Sequence, residues 1–189
     1  MSNQITIKKE NILNAYKQAS GEQKSLLENM FGRELFQPKD IKERVKTFDD
    51  ALAILGNDNQ AVIDYYAVAD KSCTKDILAF AKLRVIAEAL NEGWEPKFIK
   101  DEYRYYPLLY IYSKKEFDNL DEYDRKRCSA VCRGGLSAFA YDGLIYVFAG
   151  NASSSSFSSV GSRLAFKTKE LSEYCGEQFI DIWADFLFA

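Results

Sequence analysis

The stretch Leu136–Gly150 places the strongest constraint on how this chain can fold. Two runs of β-prone residues flank Asp142-Gly143, a dipeptide that favours a two-residue type I′ turn because both central positions need positive φ. Such a turn would place Tyr141 opposite Leu144, with apolar side chains on both faces of the hairpin. We therefore expect a central hairpin over residues 136–150 that is covered on both sides.

Helical patterns fill the first half of the chain and its C-terminal end. Apolar residues recur there at helical spacing, and residues suited to N-capping precede the predicted helices. The expected caps are Ser20, Thr47, Thr74 and Thr168. The helix from Thr168 is expected to run unbroken to the end of the chain.

Strand patterns occupy most of the second half. Besides the hairpin, strands are expected at residues 103–112, 128–133 and 162–167. Pro107 lies inside the first of these, so that strand is at a sheet edge, is bulged, or starts after the proline. The predicted fold class is α+β. A helical N-terminal half precedes an antiparallel sheet of about four strands, closed by the C-terminal helix on one face and the 75–92 helix on the other.

Pro38 suggests where the chain divides. The preceding helices are expected to end at Gly32, and Phe36-Gln37-Pro38 breaks the chain because the residue before a proline avoids the helical region. We expect a helical arm, residues 1–38, that docks on the body or on a partner, and a single α+β domain, residues 39–189.

Composition excludes several classes of function. The 189 residues carry a formal net charge of -3, which argues against a general polyanion binder. The chain contains no histidine, which rules out Ser-His-Asp and Cys-His nucleophiles and an imidazole base. Its four cysteines form no Cys-x-x-Cys pair, so we expect reduced, mostly buried thiols. We predict no catalytic residue, metal site or cofactor, and hence a protein that is not an enzyme.

The N-terminal sequence lacks the apolar core of a signal peptide, and no apolar run is long enough to span a membrane. The predicted location is the cytoplasm, with no membrane partner.

Three segments are candidate binding sites. The serine-rich segment 150–161, with Ser153, Ser154, Ser155, Ser156 and the nearby Arg163, is a flexible connector, a loop ordered by a partner, or an anion cradle. Arg133, Gly134 and Gly135 form a bulge or an RNA contact, and the hairpin would bring them beside the serine-rich segment. Tyr103, Arg104 and Tyr105 stack on single-stranded bases, or they fill a half-exposed sheet or a protein interface.

Several phrases of the sequence resemble a family of uncharacterised proteins from phages, prophages and mobile elements of gut Bacteroidetes. They are Arg44–Ala51, Leu83–Pro96, Tyr103–Pro107 and Gly161–Tyr174. The resemblance extends from about Ile5 to the end of the chain. It implies a phage-related role in the bacterial cytoplasm or the virion, and it assigns no catalytic or binding residue.

Three functions follow from these observations. The first is a phage- or mobile-element-associated structural or interaction protein that presents its aromatic strand and serine-rich loop to a protein partner or to a second copy. The second is a single-stranded nucleic-acid-binding protein that uses Tyr103, Arg104, Tyr105, Arg133 and Arg163. The third is a small-ligand or anion-binding protein, or an enzyme, centred on the serine-rich loop.

Overall fold

A computed structural model describes residues 6–97, 99, 102–112, 114–127, 129–130, 143–153 and 164–188. For residues 111, 114, 125–127, 129–130, 143–153 and 188 it describes the backbone alone. The chain divides into two compact units, residues 1–44 and 45–189. The division into an arm, 1–38, and a body, 39–189, stays a prediction.

The first unit is helical. Its elements are α1 (Lys9–Gln18), α2 (Gly21–Phe31), a 3-10 helix (Arg33–Leu35) and α3 (Ile41–Arg44). The expected cap at Ser20 is confirmed, since the Ser20 backbone N–H donates to Gln23 Oε1 at 2.9 Å in a capping box. The Tyr16 ring stacks on Phe36, with 4.1 Å between the ring centroids, and its hydroxyl donates to Glu28.

The second unit contains the remaining helices among the described residues. They are α4 (Phe48–Leu55), α5 (Gln60–Ala69), α6 (Lys75–Asn91), α7 (Lys114–Asp118), α8 (Glu122–Arg127), α9 (Lys169–Gln178) and α10 (Ile180–Phe188). The Thr47 cap is confirmed: its hydroxyl accepts from the Asp50 N–H at 3.1 Å, while the Asp50 carboxylate accepts from the Thr47 N–H at 2.8 Å. Thr168 likewise accepts from the Leu171 N–H.

Helix α6 lies at the centre of the core. It packs against α4, α5, α9 and α10. Its side chains are buried on more than one face, including Leu83, Val85, Ile86, Ala87 and Leu90. A helix that is apolar all round is stable only when other elements surround it. The main neighbours of α6 are helices, so the expectation that α6 covers a face of the sheet is wrong.

The C-terminal helix is broken, against expectation. Phe179 leaves helical geometry, with φ -113° and ψ 30°, and separates α9 from α10. Its side chain is buried, and its ring contacts Tyr174 edge-on. The break lets the two short helices pack differently: α9 packs mainly on the sheet, whereas α10 packs mainly on α6.

The sheet has three described strands, β1 (Tyr103–Tyr112), β2 (Ser129–Ala130) and β3 (Gly143–Ser153). Their order is β1-β3-β2, and both pairings are antiparallel. β1 pairs with β3 along its whole length, with a shift of register between Leu108 and Leu109. Helix α9 packs against β1 and β3.

The predicted fold class is wrong. The described residues are mostly helical, with ten α-helices, and do not form a four-stranded sheet around a central hairpin. Gly143 begins β3 instead of forming a turn, and Leu144 is flanked by Ile111 on one side and Ser129 on the other. A strand has two edges, so no edge at Leu144 remains for the predicted partner Tyr141. Residues 136–141 lie outside the described part.

The predicted strand 162–167 is also wrong in its described part. Phe166 forms a single bridge to Tyr105, and neither Leu164 nor Ala165 is in a strand. Asn91, at the end of α6, holds this segment: its Nδ2 donates to the Ala165 carbonyl at 2.8 Å, and its Oδ1 accepts from the Lys167 N–H at 3.1 Å. Asn91 is buried. The Asn91 side-chain amide thus makes the hydrogen bonds that a neighbouring strand would otherwise make with the backbone of Ala165 and Lys167.

Replacing Asn91 with Ala should destabilise the fold by about 2–4 kcal/mol, because two backbone groups lose their partners. Chemical denaturation measures the change. Asn119→Ala is the matched control, since its amide bonds an exposed carbonyl within one helical turn; about 0.5 kcal/mol or less is expected there. Equal effects of the two substitutions would contradict the role given to Asn91.

Candidate interaction surface

Two backbone hydrogen bonds fix which groups of β1 face away from the sheet. The Tyr105 N–H donates to the Phe166 carbonyl at 3.1 Å, and the Phe166 N–H donates to the Tyr105 carbonyl at 2.9 Å. Phe166 therefore lies on the side of β1 opposite β3. Because N–H and C=O directions alternate along a strand, Pro107, Leu109 and Ile111 also direct their backbone groups away from β3.

Pro107 fits this arrangement. Its nitrogen occupies an outward position, where a missing N–H removes no hydrogen bond from the β1–β3 ladder. The strand includes the proline and lies at a sheet edge, as the order β1-β3-β2 requires. The edge placement, one of the three expectations for this proline, is confirmed. The register shift beside Leu108 shows that the ladder is also irregular there.

On its outer edge β1 has one bridge partner among the described residues, Phe166 opposite Tyr105. We call the outward backbone groups of Leu109 and Ile111 the open edge, because neither residue has a bridge partner there among the described residues. It offers two N–H donors and two carbonyl acceptors, and Pro107 is left out because it is buried.

One face of β1 is exposed next to the open edge. Alternation places Arg104, Tyr106, Leu108, Tyr110 and Tyr112 on that face. Arg104 and Tyr106 are buried, but Leu108 is 39% exposed and Tyr110 is 50% exposed. The Tyr110 and Tyr112 rings lie 4.7 Å apart between centroids. We call Leu108, Tyr110 and Tyr112 the exposed β1 face.

The three predicted site residues on this strand do not share one face. Tyr103 is 57% exposed and Tyr105 is half-buried, both on one face of β1. Arg104 points to the opposite face and is 2% exposed. Consecutive strand residues alternate sides, so this guanidinium is not available beside the two tyrosines.

The other predicted site residues are mostly outside the described part. These are Arg133, Gly134, Gly135, Ser154, Ser155, Ser156 and Arg163. Ser153 is described, and it ends β3 opposite Tyr103. Gly150–Ser153 belong to β3, so the predicted loop is wrong in its described part. The proposed meeting of Arg133-Gly-Gly with the serine-rich segment stays a prediction.

Thiol chemistry has little support in the described residues. Cys73 and Cys175 are both free thiols. Burial raises the pKa of Cys175 to about 12, and the nearby Trp183 side chain acts weakly in the opposite direction. Cys73 is exposed, and Cys128 and Cys132 lie outside the described part of the chain, so the expectation of mostly buried cysteines stays a prediction. Within the described residues, no group of three acidic or cysteine side chains has the arrangement needed to hold a metal ion.

No helix in the described part of the chain is both long and apolar enough to cross a bilayer. Comparisons with protein-family models, curated proteins and solved structures gave no match. Function must therefore be inferred from the residues and their geometry.

The sequence pattern predicts the strand, and the site residues predicted on it lie at its N-terminal end. Leu108, Tyr110 and the outward amides of Leu109 and Ile111 were not among the predicted site residues. Two signals were available: Pro107, which marks an edge, and the absence of charge from Tyr105 to Tyr112. Edge strands usually carry charged residues that prevent pairing with other chains.

Cys175 should resist alkylation in the folded protein, while Cys73 should react. At pH 8 a thiol with a pKa near 12 is ionised in about one molecule in 10⁴, and the thiolate is the reactive form. Iodoacetamide treatment followed by peptide mass mapping distinguishes the two sites. In concentrated guanidinium both should react, which serves as the control. Native-state labelling of Cys175 as fast as Cys73 would contradict its burial.

Proposed function

We propose that this chain is a non-enzymatic interaction protein whose binding element is β1, through the open edge and the exposed β1 face. An extended segment of a protein partner would add to the sheet beside β1, and main-chain hydrogen bonds would supply most of the affinity. The phage- or mobile-element context, which rests on the sequence resemblance, belongs to this proposal. So do the cytoplasmic or virion location and the role of the serine-rich segment as a second contact.

The observation that carries the proposal is an edge strand with outward backbone groups and no charged residue from Tyr105 to Tyr112. Exposed apolar side chains accompany it at Leu108 and Tyr110. Together they provide both elements of strand addition: backbone pairing for affinity and side-chain contacts for specificity. The high pKa of Cys175 and the lack of histidine support a role without catalysis.

Single-stranded nucleic-acid binding is the second candidate. Tyr103 and Tyr105 share a face of β1, and exposed aromatic rings on a sheet can stack bases. Burial of Arg104 and the net charge of -3 weigh against it. Salt-dependent binding of a labelled oligonucleotide, lost in Tyr103→Ala, would favour this function over protein binding. The anion-binding alternative depends on residues outside the described part, apart from Ser153.

Selection of random displayed peptides against the purified protein tests the proposal. Selected peptides should be extended and apolar at alternate positions. Tyr110→Lys should weaken their binding at least about tenfold, because it introduces a charge beside the paired strands. Tyr66→Lys adds the same charge at a tyrosine on α5 that is 45% exposed, and it should leave binding unchanged.

Hydrogen exchange locates the peptide on the strand. Binding should slow exchange of the Leu109 and Ile111 amides, which face outward. Selected peptides that bind Tyr110→Lys and Tyr66→Lys equally, and that leave these two amides unprotected, would refute the proposal.

A further inference from the structure

We propose that α1 and α2 form a conformational device: the two helices open together while the helical core around α6 stays folded, and one cluster of side chains holds them closed. The cluster consists of Tyr16, Glu28, Arg33 and Phe36, and we call it the latch. All four residues belong to the first compact unit, residues 1–44. The inference is independent of the proposed function, because no latch residue belongs to β1.

The two helices are short and have no core of their own. α1 has 10 residues and α2 has 11, and isolated helices shorter than about 12–15 residues are only marginally stable in water. Both helices lie wholly within the described part of the chain, and neither contains a buried residue. Leu26 and Met30 of α2 are 59% and 64% exposed. The closed pair therefore depends on contacts between side chains that are only partly buried.

Tyr16 connects three elements through the latch. Its ring, on α1, stacks on Phe36 directly after the 3-10 helix, with 4.1 Å between the centroids and 17° between the planes. Its hydroxyl donates to the carboxylate of Glu28 on α2. Arg33, in the 3-10 helix, binds the same carboxylate through Nε at 3.3 Å. Hydrogen bonds to an ionised group are stronger than those between neutral groups, so this one tyrosine makes a large part of the contact between α1 and the segments that follow it.

The latch is also easy to open compared with the core. The side chain of Arg33 is 77% exposed and that of Glu28 is 23% exposed, and water weakens ion pairs in such positions. Helix α6, in contrast, has nine buried residues. Proteins open locally where few apolar contacts are buried, at a lower free energy than global unfolding. The α1–α2 pair should therefore open many times more often than α6.

Opening changes the surface of the first unit. Ile12 and Leu13 of α1 and Leu27 of α2 are half-buried in the closed pair. Separation of the helices exposes these side chains in addition to Leu26 and Met30, which are already exposed. The latch thus determines how much apolar surface this unit presents to solvent.

Native-state amide hydrogen exchange in low concentrations of urea measures the opening of each helix separately. In the unmodified chain, the hydrogen-bonded amides of α1 and α2 should share one opening constant, at least about a hundredfold larger than that of α6. Tyr16→Phe keeps the ring but removes the hydrogen bond to a carboxylate, so it should raise the opening constant of α1 and α2 about tenfold. Exchange in α6 should not change.

Tyr66→Phe is the matched control, since it removes the same hydroxyl from a tyrosine on α5 that is 45% exposed. It should leave the exchange of α1 and α2 unchanged. A double-mutant cycle shows that the bond itself is responsible: in a Glu28→Ala background, Tyr16→Phe should have almost no further effect.

Three results would overturn the inference. The first is exchange of α1 and α2 with the same opening constant as α6, which would mean that the chain opens only as a whole. The second is complete lack of protection in α1 and α2, which would mean that the pair is not closed. The third is equal exchange in Tyr16→Phe and the unmodified chain, which would remove Tyr16 from the latch. None of these results bears on peptide binding at β1, so the proposed function is tested separately.

Discussion

The pair of backbone hydrogen bonds between Tyr105 and Phe166 determines how β1 can be used. It shows that the backbone N–H and C=O of Tyr105 point away from β3. Because these directions alternate along a strand, the direction of the backbone groups is then known for all the other residues of β1. Had the pairing involved Tyr106 instead, Pro107 would have faced β3 and would have removed a hydrogen bond from the ladder. The position of one bridge therefore explains both the tolerated proline and the open edge.

The bridge in turn depends on α6. Asn91 binds the backbone at Ala165 and Lys167, the two residues that flank Phe166, and Lys167 Nζ also reaches Glu92 at 3.2 Å. Helix α6 is held by packing on several sides, so its last turn is a rigid support. A buried amide with both its donor and its acceptor satisfied specifies the path of this segment better than apolar contacts alone. The Asn91 side chain thus links the helical core to the segment that bridges β1.

Local signals in the sequence were predictive where neighbouring residues decide the structure. The caps at Ser20 and Thr47 are examples, since their partners lie three residues away. The hairpin prediction was wrong because it rested on a local signal, Asp142-Gly143. The partners of Leu144 are Ile111 and Ser129, which are distant in sequence. The break at Phe179 also depends on tertiary packing. For the candidate site, the tyrosine-rich strand was predictable, but which backbone groups face outward depends on Phe166, which is distant in sequence.

The most direct test of this account is amide hydrogen exchange along β1, measured by nuclear magnetic resonance at a concentration where the chain is monomeric. The account predicts slow exchange at Leu108 and Tyr110, whose amides face β3, and fast exchange at Leu109 and Ile111, whose amides face outward. Slow exchange at Leu109 and Ile111 in the monomer would mean that the edge is already covered. That result would contradict the open edge on which the proposed function depends.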